Sequence, residues 1–397
     1  MDNEEARAIG WALWRVRDDR GQSLRVVADL AGMGKDTLNR IERGLLSPTL
    51  AQLHALAEAL QTSVSELTRL PFPAPANGHT DAAIAAVDLA LMAAGQDVPG
   101  GRVLPVELLR ARVTATVDTL CHCERRSEVG IALPGLIRDL HTSIAAGRNV
   151  AELLELSAWL HTQATVPWLS LSAAPVDLRG QAVMLARHAA HERNTASPMG
   201  LVAAAGARVA LAKGAFGIAE AGLDAVTVPT NTPETMQLAG LLALRRSLVA
   251  AADKRPADAD AALDYAADLA ARTGEGNAYG LGFGPTNVGM WRMWGLVEVG
   301  DHERAVAIAE GLNPELHPNR SGQAGYWSNY GRGLALLRGR HEDAVVALRR
   351  AELISPHSIQ RNPIIRNVLA VLLKHSRRGS PVDQELRGMA RRAGLLG

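Results

Sequence analysis

Apolar positions along the chain recur three or four residues apart, the period of an amphipathic helix. No convincing run of alternating β-branched residues marks a strand. Near the N-terminus, Ile9, Leu13 and Val16 give one buried face to a helix that ends near Gly21. Leu24, Val27, Ala28 and Ala31 repeat the pattern, Gly32 breaks it, and Leu38 and Ile41 open a second short stripe. Thr49 is placed to cap a further helix carrying Leu50, Leu53, Leu56, Ala57 and Leu60. Ser63-Val-Ser-Glu66 has the spacing of a capping box, in which two polar side chains satisfy orphan backbone N–H groups at the start of a fifth helix.

The helix beginning at Lys35 turns Lys35, Asp36, Thr37, Asn39, Arg40 and Arg43 away from its apolar stripe. Those side chains can bond base edges and phosphates, and a helix fits the major groove. The stretch Ser23–Gly44, closing on Thr37-Leu-Asn-Arg-Ile-Glu-Arg-Gly44, resembles the helix-turn-helix of the phage-repressor-like (Xre) family. In that family Thr-Leu-x-Arg-Ile-Glu-x-Gly closes the recognition helix. The resemblance spans residues 4–70 and implies a five-helix DNA-binding domain over residues 1–70. Lys35, Asp36 and Asn39 are its base-edge candidates, Thr37 and Arg40 lie beside them, and Arg25 and Arg43 hold phosphates. Leu24 stands where the family often carries a DNA-touching Gln, so Arg25 is left as the backbone anchor of the first motif helix.

Charge changes this picture in one respect. Residues 1–70 hold nine Lys or Arg against ten Asp or Glu, although the cations gather between Arg15 and Arg43. A near-neutral module gains little from phosphate neutralisation, so it is expected to bind a two-fold operator in double-stranded DNA as a homodimer. Trp11 and Trp14 project from a different side than Ile9, Leu13 and Val16. They are expected to dock this head on the rest of the chain or on a second subunit.

Leu70-Pro-Phe-Pro-Ala-Pro-Ala-Asn-Gly78 reads as a linker over residues 71–79, a semi-rigid spacer at about 3.1 Å per residue. Beyond it, over residues 80–397, a turn residue is followed five positions later by Ala. Gly214…Ala219, Arg255 or Pro256…Ala261, Gly300…Ala305 and Gly339…Ala344 show or approximate this, with alanines 42, 44 and 39 residues apart. Periods of that length mean stacked helical hairpins. Gly339, Ala344, Leu348, Ala351 and Pro356 resemble the tetratricopeptide repeat. The expected fold is therefore all-α: a five-helix phage-repressor-like helix-turn-helix domain followed by a degenerate tetratricopeptide-like α-solenoid of seven or eight hairpins. The combination resembles actinobacterial transcriptional regulators and is similar in architecture to the RRNPP peptide-sensing regulators. It implies a sequence-specific DNA-binding transcriptional regulator whose solenoid senses a small molecule or short peptide. The alternative is a DNA-bound adaptor whose solenoid recruits a protein partner.

Seven of the 14 aromatic residues fall between Tyr279 and Tyr330. In tetratricopeptide hairpins the first helix lines the concave groove. Counting back from Gly300 and Gly339, its second position is Asn287 and Tyr326, and its fifth is Met290 and Asn329. Trp291 and Tyr330 come next, and Trp294 lies one turn further on. Asn287, Trp291, Trp294, Tyr326, Asn329 and Tyr330 are thus candidate ligand-binding residues, with Arg366 adding charge from the next hairpin. The aromatics fill a core otherwise rich in Ala and Gly on the other reading; only the two asparagines speak against it.

The 397 residues suggest two units, and 47% hydrophobic composition is ample for their cores. Cys121 and Cys123 flank His122 on one helix, too close together to surround a tetrahedral ion, and His188, His191 and Glu192 do not form His-Glu-x-x-His. No metal or cofactor is expected. With no nucleophile–base pair evident, an enzyme is not expected either. No apolar run approaches the ~18 residues of a membrane span, and the acidic N-terminus is no secretion signal, which predicts a cytoplasmic protein without a membrane partner.

Overall fold

A computed structural model describes residues 4–19, 22–46, 48–60, 67, 78–123, 126–376 and 379–396. Among them helices account for all regular structure; the one β-bridge, Gly276 to Phe283, is isolated. None of these helices is long and apolar enough to cross a membrane.

Helices α1 (Glu4–Asp19), α2 (Leu24–Leu30), α3 (Lys35–Glu42) and α4 (Leu50–Ala59) build the head. Their apolar stripes meet in one core of Ile9, Leu13, Val27, Ala28, Leu38, Ile41, Leu53 and Leu56. Ser23 caps α2, its hydroxyl accepting from the Val26 N–H at 3.3 Å. Thr49 and Gln52 form a reciprocal capping box on α4, with bonds of 3.2 and 2.9 Å. Gly10 lets α1 lie directly on α3, because a Cβ there would sit 2.3 Å from the Glu42 carbonyl oxygen. Leu67 is buried in the same core. The capping box expected at Ser63–Glu66 and most of the 71–79 linker lie outside the described residues.

The solenoid runs α5 (Gly78–Gly95), α6 (Val106–His122), α7 (Arg126–Ala145) and α8 (Val150–Leu160), the last continuing through a π-helical turn, His161–Thr165, into α9 (Val166–Leu171). Then follow α10 (Val176–Arg193), α11 (Ala196–Ala212), α12 (Phe216–Asp224), α13 (Pro233–Ala252) and α14 (Pro256–Thr273). The last elements are α15 (Pro285–Val299), α16 (His302–Glu310), α17 (Arg320–Ala335), α18 (His341–Ile354), α19 (Pro356–Gln360), α20 (Pro363–His375) and α21 (Pro381–Arg392). From α11 onward, neighbours pair as α11–α12, α13–α14, α15–α16, α17–α18 and α20–α21.

The turn signature has a backbone cause. Gly214, Gly300 and Gly339 take φ of 70°, 88° and 82°, the left-handed region, and Ala219, Ala305 and Ala344 are buried five residues later. In the α13–α14 hairpin the register differs from the expected Arg255 or Pro256…Ala261. Lys254 takes φ 60°, Ala259 is the buried alanine, and Ala261 is exposed. A lysine performs the glycine's turn there, so the glycine signal was missing. Before α11, α5 packs across α7 and α8 packs against α10, a skipping order that no simple hairpin repeat encodes.

The superhelix curls until its ends meet. Arg361, buried between α19 and α20, donates to the Ser172 carbonyl at 2.9 Å and to Asp81 at 3.3 Å. Helix α6 likewise reaches α17 across the interior. The head rests on the later hairpins: α4 touches α15, α1 touches α20, and Lys374 donates to the Gly44 carbonyl at 3.1 Å. His54 packs edge-on against Phe216, ring centroids 5.1 Å apart. With the head so seated, Trp11 and Trp14 remain 54% and 41% exposed. The face of α1 bearing Ile9 and Leu13 belongs to the head's own core, and the solenoid meets other surfaces.

Candidate DNA-reading helix and effector cavity

Full burial of Leu38 and Ile41 fixes the rotation of α3. Lys35, Asp36 and Arg40 are consequently exposed, Thr37 and Asn39 half-exposed, and Arg43 exposed just past the helix end. Glu42 faces inward instead. Arg17 grips it with two bonds of 2.7 and 2.9 Å and also donates to the Gln22 carbonyl at 2.8 Å, tying α1 to α3 and to the start of the motif. Such a two-pronged pair adds geometric definition as well as energy. Arg25 is open, its side chain 84% exposed and 4.0 Å from an equally open Asp29. The outer side of α3 keeps this exposure with the head seated on the solenoid, because α4 and the Gly44 turn carry much of that contact.

Inside the curl lies a cavity of about 490 Å³, within the size range of small-molecule sites. Asn287, Trp291, Trp294, Tyr326 and Asn329 all line it. Tyr330 and Arg366 do not. Tyr330 stacks on Tyr326 and donates to Glu310 at 3.2 Å, and Arg366 is buried with its Nε donating to the Ala393 carbonyl at 3.1 Å. Tyr330 sits one position beyond Asn329, a step of roughly 100° about the helix axis. Phe283 and Trp327 follow the core reading: Phe283 is fully buried against Gly240, and Trp327 packs against both Tyr326 and Tyr330.

The two asparagines differ. Asn287 donates from Nδ2 to His317 Nε2 at 2.9 Å, while its Oδ1 is buried with no partner. Asn329 accepts from Arg332 Nη1 at 2.8 Å, and Arg332 pairs with Glu298 at 2.8 Å, both side chains under 10% exposed. Trp294 Nε1 donates to the same Glu298 oxygen at 2.9 Å. Asn329 therefore joins the cavity wall to a buried ion pair. Burial keeps the His317 pKa below its ordinary value, so the imidazole is neutral at neutral pH.

Other lining residues had no motif behind them. Thr162 and Gln163 come from the π-helical turn, a feature enriched at functional sites. Cys121 also lines the cavity, its Sγ 3.9 Å from the Gly280 carbonyl. No cluster of three or more His, Cys, Asp or Glu residues suited to a metal occurs among the described residues. Most telling are Arg208 on α11 and Arg245 on α13. The Arg245 guanidinium lies 4.8 Å from the centre of the Trp291 ring, and its Nε is buried without a partner. Burial, with repulsion from Arg179, pulls the Arg208 pKa down to about 10; burial and Arg208 lower that of Arg245. Among the described residues no acid lines the cavity. A signal for Arg208 was present: it is the one charge in the apolar helix Ala196–Ala212.

Residues 8–70 match the family described as a helix-turn-helix domain. The head thus carries a helix-turn-helix domain, and a helical, repeat-like region lies behind it. No curated protein sequence matches the chain significantly. Among solved structures, it aligns with the crystal structure of Bacillus thuringiensis PlcR in complex with the peptide PapR7 and DNA. That alignment has 11% identity, covers 98% of this chain and 93% of that one, and has a TM-score of 0.20, too low to support any argument.

Proposed function

We propose that the protein is a homodimeric, ligand-responsive transcriptional regulator in which occupancy of the solenoid cavity changes how the DNA-binding head is held. One observation carries this reading: helix α15 borders both places. Asn287, Met290, Trp291, Met293 and Trp294 face the cavity. Trp291, Arg292, Gly295, Leu296, Glu298 and Val299 line a cleft shared with the head, whose opposite wall includes Ala31, Met33, Thr49, Gln52 and Ala55. A ligand that shifts α15 by a fraction of a turn alters the seat of α4. The Asn329–Arg332–Glu298–Trp294 bonds form a second connection, since Arg332 also lies beside Pro48 and Thr49. Coupling between sites of this kind typically amounts to about 1–3 kcal/mol. A near-neutral head binds an isolated half-site weakly, which favours a dimer on a two-fold operator.

The test begins with selection of bound genomic fragments by the purified full-length protein. Lys35→Ala with Asn39→Ala is expected to cost about 1–3 kcal/mol per lost base contact and to change which fragments are selected. Unchanged affinity and selectivity in the double variant would remove α3 from the role assigned to it. The small-molecule or short-peptide effector is tested separately, by the change in operator affinity when the cavity is filled.

A further inference from the structure

We propose that the cavity takes a ligand bearing an anionic group, a carboxylate or a phosphate, seated by Arg208 and Arg245. The proposal rests on the cavity being the effector site and supplies the chemistry that reading lacked.

Guanidinium groups remain protonated in proteins, and a charge drawn partly out of water with no counter-charge is costly for a fold to hold. Elsewhere this fold pairs such groups: Arg17 faces Glu42, Arg332 faces Glu298, and Arg361 faces Asp81. Arg208 and Arg245 face no carboxylate among the described residues, and Arg179 adds a third positive charge close enough to repel Arg208. Burial lowers the pKa of both lining arginines, with repulsion from Arg179 added at Arg208 and repulsion from Arg208 added at Arg245. An incoming anion would relieve that repulsion and gain charge-assisted hydrogen bonds, which the planar fork of Arg offers two at a time.

The rest of the lining suggests what carries the anion. Trp291, Trp294, Met290, Met293 and Leu241 present apolar surface beside the arginines. The cation–π contact of Arg245 with Trp291 places charge and aromatic wall together. Asn287 Oδ1, buried without a partner, requires an N–H or O–H donor. The ligand class is therefore a small molecule with a negatively charged end and an apolar body, to which a hydrogen-bond donor facing Asn287 adds affinity.

The experiment uses the full-length protein with 1-naphthoate, 1-naphthyl phosphate, neutral 1-naphthamide and inorganic phosphate as probes. Binding is read by thermal melting and by tryptophan fluorescence. At least one anionic naphthyl probe is expected to raise the melting midpoint and quench tryptophan, with naphthamide weaker by roughly tenfold or more. Preference between carboxylate and phosphate then tells which anion the site takes. Arg208→Met and Arg245→Met should each abolish the preference for the anions over naphthamide while melting no lower than wild type without ligand, since each removes a charge that faces no carboxylate. The proposal fails if naphthamide binds as well as the anions, if no anion binds, or if both variants melt well below wild type and still prefer anions. Operator affinity measured with the bound anion separates the two ideas. Anion binding that leaves DNA affinity unchanged keeps the site and overturns its role as sensor.

Discussion

The buried pair of Glu298 and Arg332 offers the sharpest energetic test of how the cavity is joined to the head. Glu298 accepts from Arg332 at 2.8 Å and from Trp294 at 2.9 Å, with side-chain exposures of 5% and 8% for the pair. Replacing Glu298 with Leu removes the carboxylate bonded to Arg332 and leaves the guanidinium with the neutral Asn329 Oδ1 as an acceptor. Stranding one partner of a buried pair costs about 3–5 kcal/mol, a large share of the 5–15 kcal/mol by which proteins are stable. Glu298→Gln keeps an acceptor without its charge, and is expected to cost less, about 2–3 kcal/mol. Arg332→Met alone should cost a similar amount by stranding Glu298. The double variant Glu298→Leu/Arg332→Met strands neither and should recover most of the loss, giving a coupling of at least about 1.5 kcal/mol in a double-mutant cycle. Urea unfolding of the four proteins measures it. Additive losses, with coupling below about 0.5 kcal/mol, would show that the two groups do not depend on each other.

Arg25→Ala should weaken binding to all DNA sites alike and lower the salt slope of the association constant by about one, as measured by titration at several salt concentrations, because its open guanidinium fits a phosphate rather than a base. Gly240→Ala is expected to destabilise by about 1–3 kcal/mol in urea melts, since its Cβ would lie 2.0 Å from the buried Phe283 ring; a neutral result would mean that α13 and the 276–283 segment adjust freely. Acid should loosen the last hairpins. Bonds from Ser376 and Arg387 hold Asp383 down to about 2, and bonds from Arg392, Gln360 and Arg349 outweigh the burial that would raise Glu352. Both folded pKa values lie below the unfolded ones of about 3.9 and 4.3, so their stabilisation is complete above pH ~5 and is lost as pH falls toward 2. Asp383→Asn should flatten that acid limb in melting curves recorded against pH.

The head was legible because its signals are local. Gly32, Ser23 and the Leu38–Ile41 spacing each set one backbone or packing decision, and α3 emerges with the expected side chains outward. The later hairpins were legible where glycine makes the turn, and the register slipped at Lys254, where it does not. For the cavity, counting along α15 and α17 brought together residues of two adjacent hairpins, but the same counting misplaced Tyr330, and Arg366 turned inward to close the last hairpin. The opposite wall was not legible. Leu120, Cys121, Thr162 and Gln163 reach the site only because the superhelix closes on itself, through contacts such as Arg361 with Asp81, 280 residues away. No periodicity encodes a closure of that range. Arg208 and Arg245 sit between the two walls, where only the unexpected charge within an apolar stripe marks them.

The strength of the head's attachment bears on the regulatory reading. Its contacts among the described residues include the Lys374 bond to a backbone carbonyl, the His54–Phe216 edge contact and the packing of α1 and α4 on α20 and α15. A hydrogen bond from a charged group contributes about 1.5–3 kcal/mol and an aromatic contact about 0.5–1.5 kcal/mol. If these dominate, seated heads outnumber released ones by a factor on the order of tens to a thousand, and an effector coupling of about 1–3 kcal/mol moves that ratio toward parity. A larger, drier interface would place the head beyond the reach of one small ligand. A weaker one would leave it free without any ligand. In the proposed dimer, two half-sites about 34 Å apart on DNA would require two heads at a fixed distance, so a change in seating at each protomer would alter operator affinity without removing a base contact from α3.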